Sequence, residues 1–346
     1  MAKEKKKACN YAPVGGQALM GGIMMRANST KQNAFVVRLP NGGLFIEKSP
    51  SVSARDKHKW LKTPVIRGIV AFIESMKVGY AALNRSIELT FPEDEEAEKM
   101  TEKQKKKDET LMSAAVWLGG ALGIVAAIFL MFWLPNFLVV DVIGKLVGDL
   151  GIWKGLAEGV LKLIIYVGYL LLCTLNKEIK KVFMYHGAEH KTIFCYENNL
   201  PLTVENVKKQ KRFHPRCGTS FLFLMLAIGI VVYTFVRFDN VTASNALNSL
   251  ITVGVKLLLL PIIMGLGFEL LQFCGKHDNL LTTIISAPGL WFQRITTKEP
   301  DDDGILEVGI ASLQAALNLE ITVPVDPPVK AEQQPAESIE SAEIRE

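Results

Sequence analysis

The sequence predicts an α-helical polytopic membrane protein with four transmembrane helices, preceded by a small N-terminal cytoplasmic α+β module. Three observations predict it. Of the 346 residues, 49% are hydrophobic, and they are collected into long blocks instead of amphipathic stripes. Basic residues crowd the connectors on one side of those blocks. Ahead of the blocks, short apolar segments flank Pro40-Asn41-Gly42-Gly43, a hairpin signal.

Taken in order, residues 1–90 read as the cytoplasmic module. Gly15-Gly16-Gln17 to Gly21-Gly22 enclose a short apolar run and match no nucleotide-binding fingerprint, so these glycines are assigned to backbone geometry. Residues 34–39 and 44–47 form the expected hairpin. Thr63-Pro64 reads as the N-cap and first position of a helix running to about Leu89. Its apolar set includes Ile66, Ile69, Val70, Ile73 and Met76, against Arg67, Lys77 and Arg85. Such a helix either lies on the inner leaflet or packs on the hairpin. Residues 91–110 carry dense charge of both signs and form a linker.

The membrane domain covers residues 111–274. Leu111 to Pro135 is nearly free of charge, and a second block ending at Leu175 reaches back through Gly155 with only Glu158 and Lys162 interrupting. Gly218 to Val236 has no ionisable side chain except Tyr233, and Leu247 to Phe268 carries only Lys256. Each is close to the roughly 20 residues that cross a hydrocarbon core. Being apolar all round, they argue against a soluble amphipathic bundle. Residues 275–323 form a cytoplasmic C-terminal segment with helical apolar spacing from Leu306 to Leu319, and the Pro- and Glu-rich residues 324–346 are expected to be disordered.

Orientation follows from charge. The 176–217 loop carries Lys177, Lys180, Lys181, Lys191, Lys208, Lys209, Lys211, Arg212 and Arg216, whereas the opposite connectors offer Lys145, Lys154 and Arg237. The positive-inside rule places that loop and both termini in the cytoplasm, the chain being a multi-pass protein of the inner membrane. No apolar segment follows Met-Ala-Lys-Glu-Lys-Lys-Lys, so no cleavable signal peptide is expected. Five cysteines, an odd number, show no paired framework and read as free thiols or metal ligands in a reducing compartment. The net charge of +4 is explained by attraction to anionic lipid, without nucleic acid. The bilayer is the expected partner, with a cytoplasmic protein as a further one.

The 176–217 loop holds the chemistry-bearing residues. His186-Gly-Ala-Glu189-His190 has the HxxEH order of the inverzincin metalloproteases. On a helix, His186 and His190 project from one face, and Glu189 stands beside them where a carboxylate can take a proton from a metal-bound water. His214-Pro-Arg-Cys217 offers two more ligands from one bend. Imidazole with thiolate suits zinc over magnesium or calcium. If all four of His186, His190, His214 and Cys217 bind, the set is closed and structural. If the two helical histidines take one third ligand from Glu197, His214 or Cys217, a position stays open for water and Glu189 can act as catalytic base. Cys274 and His277 form a second pair after the last span, read as an ordinary helix end, and Glu269 near that end needs a partner.

Residues 185–192, 212–220, 288–291 and 299–302 resemble the bacterial YqhQ-like family of polytopic membrane proteins, often labelled a predicted metal-dependent enzyme. The likeness runs from about Gly15 to Leu319, excluding the linker. It implies a fold and a metal site but no substrate. This chain departs from the family in its glycine-rich opening, where Gln17-Ala18-Leu19-Met20 stands in place of a run ending in an acidic residue. Two function classes stay open: a zinc-dependent, protease-like hydrolase acting on a peptide or lipid at the membrane face, and a non-enzymatic scaffold or regulator with a structural zinc.

Overall fold

The computed structural model describes residues 14–91, 102–148, 150–151, 153–236, 241–242, 244–277 and 279–324. Cys9, residues 92–101 of the charged linker and the tail beyond residue 324 lie outside them. The chain divides into two compact units. The first comprises Met1–Pro92, Cys173–Ser220 and Cys274–Glu346, and the second Glu93–Leu172 and Phe221–Phe273.

The first unit is built on a four-stranded antiparallel sheet of strands β1 (Val14–Leu19), β2 (Gly22–Ala27), β3 (Gln32–Arg38) and β4 (Leu44–Pro50), in the order β1-β2-β3-β4. The β3–β4 hairpin closes over Asn41-Gly42, where Gly42 takes φ 88°. The glycine-rich opening makes a second hairpin, β1–β2, turning at Gly21 with φ 66°. That pairing was not legible as a hairpin because glycines replace the alternating apolar residues that mark strands.

Both faces of the sheet are covered, which is why β2 and β3 read as continuous apolar runs. Ile23, Met25, Ala34 and Val36 point to one core and Met24, Phe35 and Val37 to the other. On the second side lies helix α1 (Ile66–Thr90), packed through Val78, Ala82 and Leu83. It leaves Ile73, Met76, Tyr80 and Ile87 exposed on its outer face. Thr63-Pro64 does not start this helix: Thr63 ends a short 3-10 turn, its hydroxyl donating to the Trp60 carbonyl, and α1 begins after Val65. Val65 sits at φ 69°, a left-handed conformation that strains a β-branched residue.

Second, the polar run after Asn176 is itself a helix, Lys177–Glu197, and the C-terminal segment provides two more, Leu280–Thr296 and Asp303–Ala316. The Asn176 side chain accepts from Glu178 N and Ile179 N, and Asp302 caps the last helix by accepting from Gly304 N. The 303–316 helix fills the first core with Ile305, Leu306, Val308, Ile310 and Leu313.

The second unit holds the apolar helices. Among the described residues, three are long and apolar enough to cross a membrane: Ala114–Val147, Trp153–Cys173 and Leu247–Lys276. The fourth block forms a helix of 17 residues, Gly218–Thr234, apolar but shorter than those three. The first does not stop at Pro135. It continues through two π-helical stretches, Phe129–Trp133 and Leu138–Ile143, on either side of the proline. A wider turn relieves the clash a proline ring makes with the carbonyl four residues back.

Candidate metal centre

The 177–197 helix runs through the middle of the first unit. Met184, Tyr185, Gly187, Ala188, Glu189, His190, Lys191, Thr192, Ile193 and Cys195 are all buried, so polar residues on several faces need internal partners. Lys191 pairs with Glu299 and donates to the Lys208 carbonyl at 2.8 Å. Arg212 reaches the other oxygen of Glu299 at 3.2 Å.

The two helical histidines are held in one tautomer. His186 Nδ1 lies 2.8 Å from the Thr296 carbonyl and His190 Nδ1 lies 2.5 Å from the Arg212 carbonyl. A carbonyl only accepts, so each Nδ1 carries a proton, and in the neutral ring the lone pair is then on Nε2. The His186 Nε2 faces Cys217 Sγ at 3.1 Å, and His190 Nε2 is buried with no hydrogen-bond partner. His186, His190 and Cys217 each offer a ligand atom, all within 4.8 Å of one another. Thr219 N donates to the Cys217 sulfur at 3.4 Å, and the Thr219 hydroxyl lies 3.2 Å from it. Burial pushes the His190 imidazole below its usual range, against the pull of Cys217, which keeps it neutral and able to ligate.

His214 stands apart from that group. Its Nδ1 accepts from Arg216 N at 3.3 Å, so its Nε2 carries the proton toward Glu197 Oε2 at 3.5 Å. Its ring lies 5.7 Å from that of His190 and 4.7 Å from Phe194. Glu197 is further held by Arg216, and Cys274 and His277 do not join the group.

Glu189 turns to the sheet. The Gly16 backbone N–H donates to its carboxylate, and a Cβ at Gly16 would come within 2.9 Å of the carboxyl carbon. The other oxygen, Oε2, is buried without a partner. Burial pushes the Glu189 carboxyl above the usual range, more strongly than nearby His186 and the Gly16 N–H hold it down.

Several residues that build this centre carry no spacing signal. Gly187 is required by a close approach: a Cβ there would meet the Lys298 carbonyl oxygen, in a segment anchored by Lys298 N donating to Phe183 O at 2.8 Å. Gln293 pins the His214–Cys217 bend, its Oε1 accepting from His214 N and its Nε2 donating to His214 O, both at 2.7 Å. The same amide donates to Ser220 Oγ at 3.0 Å. Thr296 lies 110 residues from His186, Gln293 79 from His214 and Glu299 87 from Arg212, so no local pattern reveals them.

A family model described as "Protein of unknown function (DUF1385)" matches residues 63–319. The chain is also similar to a protein of Bacillus subtilis (strain 168) described as "Uncharacterized protein YqhQ". The two are 34% identical over 307 residues, covering 88% of this chain and 92% of that protein. No solved structure matches.

Proposed function

Because this chain belongs to the DUF1385 family, whose description assigns no activity, we propose from the geometry of its own residues that it is a membrane protein carrying a zinc-class metal centre. His186, His190 and Cys217 are the protein ligands, and one coordination position is open to water or substrate. The carrying observation is the pair of imidazoles locked by backbone carbonyls with both Nε2 atoms available beside one thiol. Metal-ligating histidines commonly donate the other ring N–H in this way. A tetrahedral zinc site, with Zn–N of about 2.0–2.1 Å and Zn–S of about 2.3 Å, sets its donor atoms roughly 3.3–3.6 Å apart; the His186 Nε2–Cys217 Sγ pair at 3.1 Å is near that spacing, and all three donors lie within 4.8 Å of one another.

Three protein ligands, with His214 committed to Glu197, favour the open site of a hydrolase over a closed structural one. In that second reading Glu189 is the base. Its raised, half-partnered carboxyl suits proton transfer near neutral pH. The substrate class is a peptide or lipid bond presented at the membrane face. The basic 176–217 segment supports a cytoplasmic placement, four spans with both termini inside, and the exposed Ile73, Met76, Tyr80 and Ile87 stripe supports contact with the inner leaflet.

Metal analysis of the purified full-length protein tests the centre. One zinc-class ion per chain is expected, lost in His186→Ala/His190→Ala, and unchanged stoichiometry in that variant rejects the site. Glu189→Gln tests chemistry. Metal retained with failure to complement a deletion strain supports the base; full complementation leaves the scaffold reading.

A further inference from the structure

The three charges that interrupt the apolar helices of the second unit meet at one point. Lys256 Nζ donates to both oxygens of Glu158, at 2.6 and 2.7 Å, and Lys162 Nζ, one turn along the same helix as Glu158, reaches Oε1 at 2.8 Å. The residues are 2, 5 and 6% exposed for Lys256, Glu158 and Lys162, so water does not balance them. Among the described residues Glu158 is the one carboxylate that either ammonium touches. One carboxylate against two ammonium groups leaves a surplus positive charge.

Both ammonium groups share that one carboxylate, and the one that lines the adjoining cavity is Lys162. Its remaining neighbours are the faces of Phe132 and Tyr233, 5.3 and 5.1 Å from Nζ. Ring faces attract a cation but do not neutralise it. Buried charges are usually paired, and this one has half a partner.

Lys162 and Glu158 line a cavity of about 560 Å³ within this unit, and the rest of its wall is largely apolar, including Leu130, Leu226 and Ile263. At about 30 Å³ for each water-sized group, it has room for roughly nineteen such groups. That suits one long acyl chain with its head. Charge and shape therefore ask for the same ligand.

We propose that this cavity is a binding site for a single-chain amphiphilic anion, a long-chain carboxylate whose head pairs with Lys162 and whose tail fills the apolar remainder. Occupancy neutralises the surplus charge and covers apolar wall at once. The inference is independent of the metal centre, which lies in the other unit.

Equilibrium binding of labelled palmitate to the full-length protein in a non-ionic detergent tests it. Saturable binding of one palmitate per chain is expected. Hexadecanol, with the same tail and no charge, should bind at least about tenfold more weakly, the fold-change of one lost charge-assisted hydrogen bond. Lys162→Met should weaken palmitate by a similar factor and leave hexadecanol unchanged. Ala126→Phe, which adds bulk to the cavity wall and leaves the charges in place, should weaken both, and it keeps the test open should Lys162→Met not fold. Equal affinity for palmitate and hexadecanol overturns the proposal, as does indifference of palmitate to both variants. Displacement of palmitate by equimolar phosphatidylglycerol also overturns it, assigning the site to a two-chain lipid.

Discussion

Replacing Gly187 by alanine sets two physical effects against each other with opposite signs. Gly187 lies inside the 177–197 helix, where alanine is favoured over glycine by roughly 0.8–1 kcal/mol. Considered alone, the helix should gain. The added Cβ, however, meets the Lys298 carbonyl oxygen, with Lys298 C at 3.2 Å and N at 3.7 Å behind it. All of these are backbone atoms, so no rotamer relieves the clash. Overpacking of this kind costs about 1–3 kcal/mol, and the segment also loses the 2.8 Å bond from Lys298 N to Phe183 O as it backs away. The net expectation is destabilisation by about 1–2 kcal/mol. The same displacement carries the Thr296 carbonyl off His186 Nδ1, a loss that typically costs about 10–100-fold in metal affinity. Denaturant unfolding of the detergent-solubilised protein reads the first quantity, and competition with a zinc chelator reads the second. A variant as stable as the parent or more so, with unchanged zinc affinity, would refute the close-approach argument and leave helix propensity as the deciding effect.

Other expectations follow from individual contacts. His190→Ala should abolish retained zinc while His214→Ala keeps at least part of it, since His214 nitrogens already serve Arg216 N and Glu197; equal loss in both variants would restore His214 to the ligand set. Val65→Gly should stabilise by about 1 kcal/mol by removing left-handed strain, read as a shift in the denaturant midpoint. Burial pushes the Glu197 carboxyl up, but His214 and Arg216 together hold it below its usual value. Its contribution is therefore present above the unfolded carboxylate range and lost as pH falls through the lower folded value, so Glu197→Gln should flatten the acid limb of a stability profile below about pH 4. Reporter fusions at Asn198 should read cytoplasmic, and a signal from the opposite side would overturn the orientation assigned from basic residues.

Apolar blocks, the β3–β4 hairpin and the HxxEH spacing were legible in the sequence because each rests on local physics. A long uncharged run forms a helix suited to hydrocarbon, an Asn-Gly turn closes a hairpin, and residues four apart share a helix face. The bounds of α1 were less legible, because Thr63-Pro64 matches a start signal, whereas the helix begins at Ile66 behind the strained Val65. The β1–β2 hairpin escaped for a different reason: Gly16 is there to admit the Glu189 carboxyl, a demand from another part of the chain.

Which ligands converge was decided by tertiary structure alone. Sequence paired His186 with His190 and left Glu197, His214 and Cys217 as alternative further donors, since spacing says nothing about which of them a distant side chain will claim. Thr296 and Arg212 fix the two helical imidazoles, Glu197 draws His214 aside, and Gln293 holds the bend that brings Cys217 in. In the second unit the sequence shows Glu158, Lys162 and Lys256 only as separate interruptions, and Lys256 pairs with Glu158 across 98 residues. Buried charges must find partners wherever folding places them, so the sequence determines that such partners exist and packing determines which they are.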